Sequence, residues 1–73
     1  MMMEMIQRGT LVMTLVNKYI SGSRTKVEVP SGTIGMVLGR PTEASYKKWA
    51  VGMLVGGRQY VRRYLPAEIE VKG

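Results

Sequence analysis

Apolar residues fall in short runs along this chain, and glycine or proline punctuates them at close intervals. Turn signals lie at Gly9, Ser21-Gly22-Ser23, Pro30-Ser31-Gly32, Gly39-Arg40-Pro41, Gly56-Gly57 and Pro66. No helix-sized window repeats apolar residues at the i, i+3, i+4, i+7 spacing. The rhythm is that of small β architectures, in which strands of a few residues alternate with tight turns.

The run from Thr10 to Val16 is rich in β-branched and aliphatic side chains and predicts the first strand. A polar stretch from Asn17 to Lys26 follows, too long for a tight turn, and reads as an extended basic loop ending in a short strand over Val27-Glu28-Val29. Thr33 to Leu38 predicts a third strand, with Gly35 inside it marking a bulge or a close backbone approach. Pro41 to Lys48 forms a second loop. Lys48 to Val55 then places Trp49, Val51, Met53 and Val55 on one face. Gly56-Gly57 is a two-residue hairpin turn, because both positions can adopt positive φ. It leads into Arg58 to Leu65, where Tyr60, Arg62 and Tyr64 share one face and Val61, Arg63 and Leu65 the other. Pro66-Ala67-Glu68 predicts one tight turn before a last strand, Ile69-Glu70-Val71. These elements make a mainly β chain, a small antiparallel barrel of about five or six short strands with one closing turn.

Length allows one domain: 73 residues hide only about 60% of their unfolded surface, so the core is small. We assign residues 9–73 to it and residues 1–8 to a flexible, methionine-rich N-terminus. No cysteine is available to staple the fold, which suits a reducing compartment. No stretch approaches the ~20 apolar residues of a membrane span, and the expectation is a cytoplasmic protein without membrane contact.

Charge sharpens the picture. Eleven basic residues against five glutamates give a net charge of +6, a balance that favours anionic partners such as nucleic acid or an acidic protein face. The same composition argues against catalysis. Histidine, cysteine and aspartate are all absent, removing the commonest general base and most metal ligands. Glu68 and Glu70 converge on no site and read as solvated charges. No glycine-rich stretch ends in the lysine and hydroxyl residue of a phosphate cradle. Neither cofactor, metal nor small-molecule substrate is expected. The best candidate surface is the last hairpin, where Arg58, Arg62 and Arg63 accompany Tyr60 and Tyr64. Guanidinium forks beside aromatic faces hold phosphates and stacked bases, or grip acidic protein grooves. Arg24 and Lys26 in the first loop, near Lys18, form a second basic cluster with Lys47 and Lys48 in front of Trp49.

Three pieces resemble SH3-like barrels, including KOW-type modules. Ile6-Gln7-Arg8-Gly9-Thr10-Leu11-Val12 looks like the first strand with its preceding glycine. Gly32-Thr33-Ile34-Gly35-Met36-Val37 resembles the KOW glycine element, and Tyr64-Leu65-Pro66-Ala67-Glu68-Ile69-Glu70-Val71 the closing turn and strand. A standard KOW unit carries its glycine element close to the start, whereas here it follows a long basic loop. The resemblance implies a binding module of ribosomes, transcription complexes, viruses or photosynthetic assemblies. In length, basic balance and methionine-rich start, the chain also resembles small phage regulators that bind bacterial RNA polymerase. That likeness implies inhibition of host initiation or antitermination in the host cytoplasm, by protein contact near the nucleic-acid path. The alternatives are a free-standing RNA- or DNA-binding module and a small structural subunit of a virion or larger complex.

Overall fold

A computed structural model of the chain describes residues 6–21, 26–41 and 47–73. The described residues form seven strands: β1 (Leu11–Thr14), β2 (Lys18–Ser21), β3 (Lys26–Val29), β4 (Ile34–Gly39), β5 (Trp49–Val55), β6 (Arg58–Tyr64) and β7 (Ile69–Val71). A single 3-10 turn, Pro66–Glu68, stands before β7. The chain is therefore mainly β, and no α-helix occurs among the described residues.

Five strands make one antiparallel sheet in the order β6-β5-β4-β1-β7, and β2 and β3 form a separate two-stranded ribbon. Neither sheet closes on itself, so the arrangement is an open sheet with a ribbon and not a closed ring of strands. The ribbon corrects the sequence reading most. The polar stretch after Val16 is not one loop: Lys18–Ser21 is a strand, and all four of its residues pair with Lys26–Val29. Its alternation half-buries Lys18 and Ile20 and exposes Tyr19 and Ser21, the period-2 pattern of a strand covered on one side.

The core lies between the sheet and the ribbon. Val12, Val37, Val51, Met53, Tyr64 and Ile69 from the sheet meet Val29 from the ribbon, with Ile20 and Trp49 packed against them. Ile6 also packs on this cluster. Thr14 is the fully buried polar residue on this face, and its hydroxyl is satisfied twice. It donates to the Pro30 carbonyl at 2.9 Å and accepts the Thr33 N–H at 3.0 Å, which fixes the connection from β3 to β4.

Two glycine expectations are refined. Gly56 and Gly57 turn the β5–β6 hairpin with φ of 60° and 83°, as their position requires. Gly35 marks a close approach: a Cβ there would lie 2.7 Å from the Gly52 carbonyl oxygen and 2.7 Å from Val51 Cγ1. The bulge falls further on, where the register of β4 against β5 shifts between Val37 and Gly39.

The sheet's other face is apolar and uncovered among the described residues. Leu11, Ile34, Met36, Leu54 and Val61 are all exposed there, Leu54 to 70%.

Candidate basic and aromatic surface

β6 is an edge strand, and its pairing with β5 decides where each hairpin side chain goes. Tyr64 lies opposite Trp49, Arg62 opposite Val51 and Tyr60 opposite Met53, so this row turns toward the core. Tyr64 is fully buried, while Tyr60 and Arg62 are half-buried. Arg63 lies opposite Ala50 on the outer face and is exposed. The hairpin's cations therefore do not form one patch. Arg58, Tyr60 and Arg62 run along one side of β6, and Arg63 belongs to the other.

A buried-side arginine needs somewhere to put its charge. Arg62 meets that need by reaching past the core to the ribbon, where its Nε–H donates to the Tyr19 carbonyl at 3.1 Å. Its aliphatic stem covers apolar surface while the guanidinium stays at the edge. Tyr19 itself is 51% exposed. Lys26 sits diagonally across the ribbon from it, since Ser21 pairs with Lys26 and Tyr19 with Glu28. The Lys26 ammonium stands 5.4 Å from the centroid of the Tyr19 ring, within cation–π range. Arg62, Tyr19 and Lys26, from three different strands, thus meet at one corner. Glu28, exposed and directly opposite Tyr19, places one acid beside them.

Tyr19 did not figure among the sequence candidates. The signal was present in Lys18-Tyr19-Ile20-Ser21, whose alternation of half-buried and exposed positions is a strand pattern hidden inside a polar stretch.

Lys18 behaves as a clamp and not as a solvated loop cation. Its Nζ is 3.1 Å from Glu68 Oε1, with the two side chains only 13% and 23% exposed, and it stands 5.0 Å from the Tyr64 ring centroid. Glu68 is correspondingly no free strand-end charge. Its carboxylate also accepts the Leu65 N–H at 2.8 Å, which caps the 3-10 turn. Partial burial pushes the Glu68 carboxyl upward, but the Leu65 N–H and then Lys18 and Lys48 outweigh it, and the net shift is downward. Tyr64 is held above the usual phenol value, first by desolvation, with Arg62 opposing and Glu68 adding to the rise. Its hydroxyl is buried and has no hydrogen-bond partner among the described residues.

Lys47 is exposed with φ of 65°, and Lys48 is half-buried, next to β5 and close enough to act on Glu68. Lys48 therefore stands toward the Lys18–Glu68 pair, whereas Lys26 stands at the Tyr19 corner. Arg24, residues 1–5 and residues 42–46 lie outside the described residues. A further cleft of about 810 Å³ is lined by Ile6, Arg8, Leu38, Arg40 and Pro41, and brings together two arginines not among the candidates. Among the described residues no group of three or more acids could hold a metal ion, and no helix is long and apolar enough to cross a membrane.

The corner can attract and orient an anion. Arg62 and Lys26 supply donors without acceptors, and Tyr19 supplies a flat half-exposed ring. Comparison with known proteins found no matching family model, no matching curated relative and no matching solved structure.

Proposed function

We propose that this chain is a non-catalytic module of the SH3-like barrel class that binds bacterial RNA polymerase and modulates transcription, with its basic corner turned toward the nucleic-acid path or the acidic surface bordering it. The observation that carries the reading is the meeting of Arg62, Tyr19 and Lys26 from β6, β2 and β3. The mainly β fold, a five-stranded antiparallel sheet with a ribbon packed on its core side, is the support for this class, and its barrel character rests on the sequence resemblance. The choice of polymerase rests on the resemblance in length, charge and methionine-rich start.

A second reading, a free-standing nucleic-acid binder, is favoured by the half-exposed Tyr19 ring. Stacking of one base on such a ring is worth about 1–3 kcal/mol. Purified core enzyme and holoenzyme, captured on the immobilised protein, test the first reading. Lys26→Glu is the informative variant, because Lys26 is exposed and its loss leaves the core intact. Retention by the wild type and loss with Lys26→Glu support a polymerase contact at this corner. No retention of either enzyme form excludes it. Titration against single-stranded RNA and DNA separates the alternative: a free-standing binder weakens steeply with salt, and Lys26→Glu lowers the slope by about 0.7 for one lost phosphate contact. A flat titration at low salt excludes direct nucleic-acid binding.

A further inference from the structure

The outer face of the five-stranded sheet is unlike the outside of an ordinary small domain. Leu54 is 70% exposed, Val61 53%, Ile34 51%, Met36 44%, Leu11 42% and Leu38 38%. Together they present on the order of 500 Å² of apolar surface, toward the top of what the largest patch on a monomer reaches. The face also has relief. Leu38 lies over Gly52, its Cδ1 2.8 Å from where a Cβ there would stand, and a groove of about 420 Å³ runs beside it, bordered by Leu38, Met36 and Leu54. Leu54, two residues after Gly52 and on the same side of β5, stands up beside this groove.

The strand registers order this face into rows. One row runs Val61, Gly52, Met36, Leu11, and continues to Lys72, whose N–H donates to the Leu11 carbonyl. The next runs Gln59, Leu54, Ile34, Met13, Glu70. A two-fold axis lying between these rows, across the strands, sets each row over the other row of a second copy. Leu54 of each copy then enters this groove of the other, beside the Leu38 that covers Gly52, and Ile34 meets Met36. At the β7 edge the same operation sets Glu70 of each copy opposite Lys72 of the other. Knob meets hole and acid meets base under a single operation, as a self-complementary two-fold contact requires. The strands of the two sheets run nearly antiparallel, which is the aligned mode of sheet packing.

We infer that the outer face is the contact surface of a symmetric homodimer, with Leu54 seated in the groove beside Leu38 of the second copy and Glu70 paired with its Lys72. Two such faces bury about 1,000 Å² in total, the lower bound for a specific interface, so the dimer is a weak one. The charge of +6 on each copy opposes it further. This inference stands apart from the reading of the basic corner, which lies on the core side of the sheet.

Sedimentation velocity on the purified full chain, from micromolar to near-millimolar protein at physiological salt, tests it. The expected result is a concentration-dependent shift from monomer to dimer. Leu54→Asp, on a side chain exposed enough for the fold to tolerate it, weakens association at least about tenfold because the contact buries a charge. Glu70→Lys also weakens it, and the double variant Glu70→Lys with Lys72→Glu restores it. A wild type that stays monomeric throughout, or a dimer indifferent to Leu54→Asp, overturns the inference. A double variant as weak as Glu70→Lys alone overturns the proposed axis. If the chain is monomeric and Leu54→Asp instead abolishes polymerase capture, the face belongs to another protein and the dimer is excluded. A monomeric Leu54→Asp that still captures polymerase leaves the function of the corner standing by itself.

Discussion

Gly35 and Gly52 sit on neighbouring strands, and replacing each with alanine should give opposite outcomes. At Gly35 the new Cβ would lie 2.7 Å from the Gly52 carbonyl oxygen, 2.7 Å from Val51 Cγ1 and 3.3 Å from Met53 Cβ. None of these can yield cheaply. The carbonyl belongs to β5, which is hydrogen-bonded on both sides, and Val51 is fully buried. Relief requires β4 and β5 to part, so the cost sits at the upper end for overpacking, about 3 kcal/mol. A chain of 73 residues has roughly 4–11 kcal/mol in total, so this is a large share. At Gly52 the nearest atom is Leu38 Cδ1 at 2.8 Å, the far end of a side chain that is 38% exposed and can rotate toward solvent. Alanine also fixes the unfolded chain less expensively in a strand than glycine does, by about 0.5–1 kcal/mol. Gly52→Ala should therefore stay within about 0.5 kcal/mol of wild type. Urea denaturation followed by Trp49 fluorescence measures both, and thermal melts should show Gly35→Ala down by roughly 12–24 °C. A Gly35→Ala loss below about 1 kcal/mol, or equal losses at both sites, would refute the claim that the backbone approach and not the glycine type is what matters.

Other consequences can be measured on the same material. Tyr64→Phe removes a buried hydroxyl that has no partner among the described residues, so it should be neutral or stabilising by about 1 kcal/mol in urea melts, whereas a clear loss would show that the hydroxyl is hydrogen-bonded. Glu68 has its folded-state carboxyl lowered, so its contribution is present above the unfolded value near 4.5 and fades as pH falls through the folded value. The wild type should lose stability below that pH more steeply than Glu68→Gln, and parallel pH profiles would rule this out. Arg62→Ala should cost about 1–2 kcal/mol through lost packing and the bond to the Tyr19 carbonyl, and faster amide exchange in β2 should accompany it. Unchanged exchange there would mean that Arg62 does not hold the ribbon.

Much of the fold was legible because the chain's punctuation is chemical. Gly56-Gly57 could only be a tight turn between two alternating runs, and Tyr64 to Val71 carried its turn and strand in order. The β2–β3 ribbon was hidden because Asn17 to Lys26 looks uniformly polar, and Tyr19 and Ile20 are too few to announce a strand by composition. Its formation depends on Val29 and Ile20 reaching the core, a tertiary contact that no local window contains. The candidate surface was legible in residue type and not in partnership. Arg62 and Lys26 were named from the sequence, but only the register separates Arg63 from Arg62, and only the packing of the ribbon brings Tyr19 between them. Lys18 looked like a loop cation until Glu68 and Tyr64 were found beside it.

The position of β1 has a consequence for synthesis. It lies inside the sheet, bonded to β4 on one side and to β7 on the other, so Val12 pairs with Val71. The β4–β5–β6 meander and the β2–β3 ribbon are local in sequence and can form while translation proceeds. The sheet cannot be completed until Ile69–Val71 has been made, so β1 keeps one edge unpaired until that strand arrives. Closing so distant a contact is slow, and it should set the folding rate. On this account a nascent chain stalled before residue 69 carries an open edge that invites pairing with other strands.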